Sequence, residues 1–580
     1  MKSLIEYYKN ELAKLDLAKE YFVDMVPSIS ASISRSLNDP DTKQLMQSVA
    51  FFAANIQHSI DEQENEYLQS MGEVLSPYLA LPIPAINILS LNPKPSQKAT
   101  ILIEKGAIVD SDVVAEGHNG FPVKCRFSSA WPIWLTPIEL QDAYLEKNTE
   151  SDGDTLVLDM KRYAQIDPEC TQVSLYLNMR FDTAVILMQA LTHELAEIII
   201  FDNEQSVSLC SSVISISGLV EGQSILQERF CDSVQILLSE YFLFPAKMLF
   251  FTIKAEVFSQ FAEADTYQVK LRFKTKLNLA LQIKKENIVF NVFPVINSFP
   301  VYLPPKKISS LVSELALDAY YEELQGAQKL CIIEVLDVIV YFPNTETSIV
   351  YNNINSHIGI SSKKRASFKI NRKFDPILNT MSNTLFLEHP RDFKEEGVLR
   401  IKVLVSNGQY AEKVNANELC ELKTGFPGSV QGTNLIASSA SASTNRCDIN
   451  SWQIISDQHL KFSDLRCSQD LQTYLKRFIP GQLLNSHPQQ LNIRRIEGIY
   501  HFSTELVDQI SMGISYRGTK YRLALSNGNY SSTSDMLMFA DIIYTLISYH
   551  LPVNQYCSLI VIDASTEEEL RCLSNSPVSN

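Results

Sequence analysis

His193 and Glu194 stand together in "THELAE", the first half of a pattern in which two histidines one helical turn apart hold zinc while the glutamate activates a water. The second histidine would fall four residues after the first, where Glu197 stands, so the pair reads as a polar helix surface. "GISYRG", Gly513 to Gly518, sets a serine between glycines but not at the spacing of a nucleophile elbow, and reads as strand and turn. Asp61 to Glu66, "DEQENE", holds four carboxylates. A working acid–base pair needs a cleft that separates its pKa values, and beside an apolar seam these read as a solvated flank. The 19 glycines form neither G-x-G-x-x-G nor a Walker A loop, so nucleotide chemistry is not supported. Ten cysteines lie scattered without a C-x-x-C pair, which reads as free thiols in a reducing compartment. Single histidines such as His58, His389 and His459 read as surface or satisfied core residues. No catalytic residue, cofactor or metal ligand is expected. The densest cationic stretch, "KKRASFKINRK" (Lys363 to Lys373), has six Lys or Arg around Phe368 and reads as a charged loop and strand face. If it binds anything, an acidic protein face suits it best.

At 580 residues the chain exceeds what one core usually supports, and 45 % hydrophobic content is ample for several. A net charge of -16 argues against nucleic acid as a partner, because phosphate binding relies on clustered cations. Glu6 and Glu11 interrupt the N-terminus where an export signal would be apolar. The densest apolar run, Tyr241 to Ile253, is too short to span a bilayer and carries Pro245 and Lys247. Its core, "EYFLFPAKMLFF" (Glu240 to Phe251), is expected to turn at Pro245 and fill a core from both sides, with Lys247 reaching water.

The fold class read from the sequence is α+β, a β-rich multidomain chain with N-terminal helices followed by mixed and antiparallel sheet domains. Leu4, Tyr8, Leu12, Leu15 and Phe22 make one helical stripe. "NDPD" announces a second helix at Pro40, whose seam is Leu45, Val49, Phe52, Ile56 and Ile60. Burying those five is worth at most about 8 to 15 kcal/mol. Ordering some twenty residues costs about 1 to 2 kcal/mol each, so the helix must dock on its own chain or on a partner. Tyr8, Leu12, Leu45, Val49, Phe52, Ile56 and Ile60 are the candidate partner-interface residues, and core of the same chain is the equal alternative. The helical region is drawn as 1–85, ending in the proline-rich "SPYLALPIPA". A β-rich domain with a central helix follows over 86–300, with strands at "QVSLYLNM" and "VKLRFKTKLNLALQI" and a helix-to-strand passage over Thr183 to Phe201. A second β-rich domain spans 301–430. Asn407-Gly408 and Asn527-Gly528 are expected to close type I′ hairpins. The Ser/Ala-rich segment 431–447 reads as a mobile loop or interdomain linker, 448–563 as an α+β domain with helices at Asp470 to Phe478 and Met536 to Leu551, and 564–580 as a polar tail.

"LSEYFLFPAKMLFF" (Leu238 to Phe251) resembles the signature of the TssF family of type VI secretion baseplate subunits, also called ImpG or VasA: a glutamate, an aromatic pair, Phe-Pro, an acidic residue and Lys-Phe-Leu-Phe. "YYKNEL" with Phe22, Pro27 and Leu37 is similar to the family's opening, and "DPDTKQLMQSVAFFAANI" and "LSPYLALPIPA" to its first long helix and exit. "VSLYLNM", "NVFPVINSF", "YRGTKYRLAL" and "LMFADIIYTLISYHLPVNQY" continue the resemblance in order as far as Tyr556. Ala246, Asn55 and Ala85 depart from the usual acidic residue, arginine and serine, which marks a divergent branch.

The resemblance implies a structural subunit of a phage-like baseplate wedge and no enzyme. Its implied partners are TssG, TssE, TssK and a second TssF copy, then the spike, the tube and the contractile sheath, with an inner-membrane complex contacted indirectly. It implies a cytoplasmic location at the inner membrane. A wedge subunit of another contractile injection particle is the alternative, and a cytosolic hydrolase with a site assembled from distant loops the reading from a different class.

Overall fold

A computed structural model describes residues 4–25, 40–75, 81–93, 99–116, 122–147, 153–202, 205–210, 213–219, 222–226, 233–259, 266–277, 282–321, 328–354, 366–375, 380–390, 393, 396–428, 430–441, 465–479, 487–511, 514–551 and 555–575. The fold is β-rich with helices, as the periodicities predict. Two compact units are present, the N-terminal helices in one and the sheets in the other.

In the first unit α1 (Leu4–Met25) and α2 (Pro40–Leu75) form a hairpin. Pro40 opens α2, where its fixed φ and missing amide are favourable. Ala50 and Ala54 are buried, so the helices approach over small side chains. The Tyr7 hydroxyl donates to Asp61 at 2.7 Å and its ring meets His58 edge-on, 5.5 Å between centroids.

The second unit starts from a closed barrel of six strands, in the order Ile86–Pro93, Val292–Ile296, Pro122–Ser129, Ile108–Glu116, Leu419–Leu422 and Val430–Asn434. A five-stranded sheet runs Gln205–Cys210, Leu195–Asp202, Thr266–Phe273, Thr155–Arg162, Ile138–Glu146, and a four-stranded one Ile214–Ile216, Phe250–Lys254, Gln172–Leu177, Ile288–Phe290. In Thr266–Phe273, Val269, Leu271 and Phe273 are buried while Arg272 is exposed, which is the alternation read from the sequence. The register shifts between Arg272 and Phe273, a bulge after which Phe273 pairs with Leu195. The helix-to-strand passage is α3 (Phe181–His193) followed by Leu195–Asp202, and α4 (Ser233–Leu243) lies in the aromatic stretch. The C-terminal part has α5 (Ser468–Lys476), α6 (His487–Glu497) and α7 (Thr533–Tyr549). Its sheet runs Ile499–Ser511, Ile514–Leu525, Tyr556–Asp563, Glu569–Asn575, and α7 is the crossover between the two parallel strands.

The middle sheet is an insertion into the barrel. The chain leaves the barrel at Ile296, builds nine strands between Phe299 and Ser406 around their own core of Val338, Leu385, Val403 and neighbours, and returns. The stretch drawn as 301–430 is therefore divided, since Leu419–Leu422 and Val430–Asn434 belong to the barrel. The two crossings lie side by side, stapled by reciprocal amides. Asn297 Nδ2 donates to Asn407 Oδ1 at 2.8 Å and to Arg126 O at 2.7 Å, and the Asn407 N–H donates back to Asn297 Oδ1 at 2.8 Å. Asn407 Oδ1 also takes the Arg126 N–H at 3.0 Å.

That staple explains why Asn407-Gly408 closes no hairpin. A type I′ turn needs positive φ at both residues; Gly408 has φ 59, but Asn407 stays at φ -75 with its amide committed inward. Asn527-Gly528 also fails as a hairpin turn, forming one 3-10 turn that leads to Ser532, whose Oγ caps α7 by accepting the Asp535 N–H at 3.2 Å. Ala437 to Ser441, expected to be mobile, is laced to the barrel. Ser439 exchanges two hydrogen bonds with Ile86, at 2.8 and 2.9 Å, and Ser438 Oγ accepts from Asn87 at 2.9 Å. Short hydroxyl side chains suit such backbone contacts; residues 442–447 lie outside the described residues. The expected polar tail instead supplies the strand Glu569–Asn575, held because Leu570 and Leu573 pack on the core and Arg571 donates to Gln189 Oε1 at 2.7 Å.

Removing one amide of the staple strands the other in a dry site. Asn297→Ala is expected to lower stability by about 1 to 3 kcal/mol, seen as a lower urea midpoint, and to expose the two crossings to limited proteolysis.

Candidate functional site

Several residues that invited a chemical reading are absorbed by packing, while Gly513 and His459 lie outside the described residues. His193 ends α3 with Nε2 3.4 Å from Asp541, whose carboxylate also takes Gln189 Nε2 at 2.7 Å and lies 3.5 Å from Arg571. The cluster ties α3 to α7 and the last strand. Glu197 pairs with Arg272 at 3.0 Å and accepts from Ser208 at 2.9 Å, and these contacts hold its carboxyl below its ordinary pKa. His389 bridges the Tyr351 hydroxyl and the Val312 carbonyl, each at 2.7 Å. In the basic stretch Phe368, Ile370 and Arg372 are buried, Arg372 donating to Ile333 O at 2.8 Å, so this part is a strand of the insert. Lys363, Lys364 and Arg365 lie outside the described residues. Burial pushes the Cys125 thiol up to about 12, the state of an inert core cysteine. Among the described residues no three His, Cys, Asp or Glu side chains cluster as a metal site, and no helix is long and apolar enough to cross a membrane.

What stays open is one face of α2. Leu45, Val49, Phe52, Ile56 and Ile60 are 66, 48, 66, 62 and 50 % exposed. Their spacing keeps them on one stripe, while α2 turns Ala50 and Ala54 into the hairpin. The stripe is therefore not the hairpin's own core. Tyr8 and Leu12 on α1 are half-buried, and Tyr8 joins Gln44, Gln47, Ser48, Phe51 and Phe52 around a shallow groove. Covering side chains of this size releases about 1.5 to 3 kcal/mol each. A surface built this way can bind apolar helices; nothing on it can do bond chemistry.

The aromatic stretch forms the end of α4, a 3-10 turn over Pro245–Leu249 and the strand Phe250–Lys254, with Pro245 at the start of the turn as read. Tyr241, Phe242, Phe250 and Phe251 are fully buried, and Phe250 meets Trp131 at 5.5 Å and Tyr176 at 4.8 Å between centroids. Lys247, expected to reach water, is 2 % exposed and ion-paired with Glu240, which is 0 % exposed. The Glu240 carboxylate also accepts the N–H groups of Ile225 and Leu226, both at 2.7 Å. Three donors on one carboxylate, the ammonium and two backbone amides, make the buried ion pair tolerable. Sequence reasoning missed this pair, although Glu240 and Lys247, seven residues apart in an apolar run, were its signal.

From the same stretch the Phe242 carbonyl accepts Gln489 Nε2 at 3.0 Å and Asn492 Nδ2 at 2.7 Å, docking α6 on α4. Arg495, also on α6, binds Asp535 of α7 at 3.1 Å, and the Tyr530 hydroxyl donates to Arg495 O at 2.8 Å. Burial drives the Tyr530 phenol well above its ordinary pKa, so it remains a donor.

The family model described as "Type VI secretion system, TssF" matches residues 1–576. The type VI secretion system component TssF1 of Pseudomonas aeruginosa is 25 % identical over 146 residues, which span 24 % of this chain and 23 % of that protein. Among solved structures, a chain of the type VI secretion system TssK-TssF-TssG baseplate subcomplex superposes with a TM-score of 0.76 at 18 % identity, over 93 % of this chain and 99 % of that one. A chain of the type VI baseplate complex gives 0.60 at 15 % identity, over 99 % of both. At these identities the structural likeness is one of fold.

Lys247→Ala leaves a buried carboxylate without its cation and is expected to cost about 3 to 5 kcal/mol, measured as a lower denaturation midpoint. The double change Glu240→Gln with Lys247→Met keeps an acceptor for the two amides and should recover most of that loss; a double variant as unstable as the single one would show that the pair's geometry, not its charge, is what matters.

Proposed function

We propose that this chain, which belongs to the TssF family of type VI secretion systems, is a structural subunit of the baseplate wedge. In this reading it assembles with TssG, TssK, TssE and a second copy of itself, supports the spike, and helps to start tube and sheath assembly on the cytoplasmic side of the inner membrane. Its work is done by contact rather than catalysis. The observation that carries the proposal is the open apolar stripe Leu45, Val49, Phe52, Ile56 and Ile60, in a hairpin that does not bury it. Support comes from the likeness in fold to a chain of the TssK-TssF-TssG subcomplex.

The stripe, with Tyr8 and Leu12 beside it, is read as the docking face for helices of the wedge partners. A partner helix fits the stripe as a knob-and-groove seam, in which apolar anchors give the affinity and the flanking polar residues exclude wrong registers. Because the interface is a separate patch and not part of the large sheet core, it can exchange packings without unfolding the rest, which is what a firing platform requires.

Co-expression with a candidate TssG partner is expected to give one complex on size-exclusion chromatography. Phe52→Glu with Ile56→Glu should weaken that complex by about 2 to 4 kcal/mol per anchor while the circular dichroism of the isolated chain stays unchanged. Elution of this chain alone beside folded TssG would sink the assignment.

A further inference from the structure

The insert sheet turns one face to its own core and the other to solvent. On the solvent face the registers place Tyr302 beside Lys402 and Asp337, then Arg400 beside Ile339 and Val350, then Lys307 beside Val398, Tyr341 and Ser348. Outward positions of a half-solvated antiparallel sheet are ordinarily polar. Here Tyr302, Tyr341 and Val350 are 53, 45 and 57 % exposed, and Ile339 and Val398 are half-buried between them.

The charge on this patch runs against the chain. Lys307, Arg400 and Lys402 face a single carboxylate, Asp337, in a protein of net charge -16. None of the three cations forms an ion pair among the described residues. Arg400 instead lies 4.2 Å and Lys402 5.6 Å from the centre of the Tyr302 ring, which holds the cations over an aromatic face. Four neighbouring strands and about five residues along each make a patch about 15 Å on a side, room for roughly three turns of one helix.

We propose that this face docks an acidic amphipathic helix of a partner protein. Its apolar stripe lies over Tyr302, Ile339, Tyr341 and Val350, and its Asp or Glu flanks meet Arg400, Lys402 and Lys307. A helix is the usual cover for an open sheet face. The net negative field of the chain disfavours an anionic membrane or nucleic acid here, and the pairing of apolar and cationic rows supplies both adhesion and register. The site lies on the insert, so it is independent of the α2 stripe and of the outcome with TssG.

The test uses the full chain in cells that carry its own secretion genes, with the photo-crosslinker p-benzoylphenylalanine at Val350 and, as reference, at Leu311, an exposed turn position outside the sheet. The expected result is an adduct at Val350, absent at Leu311, whose partner peptide maps to a helical segment with an apolar stripe and Asp or Glu flanks. Arg400→Glu with Lys402→Glu should reduce that adduct about tenfold or more, and Glu→Lys changes on the captured segment should restore it. Arg400→Gln with Lys402→Gln, which introduces no repulsion, should give an intermediate loss at an unchanged thermal midpoint, separating docking from folding. Absence of an adduct above the Leu311 reference, an adduct to lipid, nucleic acid or a second copy of this chain, or an adduct indifferent to the charge changes would each overturn the proposal.

Discussion

Glu240 is the residue on which the large core turns. Its carboxylate, wholly removed from water, receives the ammonium of Lys247 and the amides of Ile225 and Leu226. A charge in that position is tolerable because an ammonium and two backbone amides share its two oxygens. The constraint propagates outwards. With Lys247 pinned beneath Trp131, 5.9 Å from its ring, the short turn after Pro245 is fixed, and Phe250 enters its strand aimed at Trp131 and Tyr176. At the other end of the stretch the Phe242 carbonyl orients α6, which orients α7 through Arg495 and Asp535. One polar contact inside an apolar block thus sets the relation of the barrel region to the C-terminal sheet.

Period and punctuation were enough to find the elements that bury one clean face. The alternation of Val269, Leu271 and Phe273, the helix-to-strand passage at His193 and Glu194, and the helical spacing of α7 all stand where the sequence places them. What could not be read was anything decided by a partner distant in the chain. Asn407-Gly408 has the composition of a hairpin turn, but Asn297, 110 residues away, claims its side chain. The serines at 438 and 439 look like linker until Ile86 and Asn87 are brought beside them. Lys247 looks like a charge bound for water until Glu240 folds over it. For the candidate site the position was legible and the exposure was not: an apolar stripe at helical spacing reads the same whether it faces its own core or a neighbour. Only the burial of Ala50 and Ala54 on another side of α2 separates the two.

The two open surfaces differ in chemistry. As the docking faces proposed above, the almost purely apolar α2 stripe would offer adhesion with little orientation, whereas the insert face, with cations in fixed rows, would discriminate among partners by charge. Neither surface interrupts a core, so each can be engaged or released while the sheets stay intact.

The staple between Asn297 and Asn407 bears on descent as well as on stability. An inserted sheet whose entry and exit strands touch can be removed, enlarged or exchanged for another without moving the ends that the barrel presents, since the host sees only a pair of neighbouring termini. The asparagine at 297 sits in "NVFPVINSF", so a stretch that carries the family resemblance is also the socket into which the insert is plugged. An insert held this way can change while the host barrel keeps its own register.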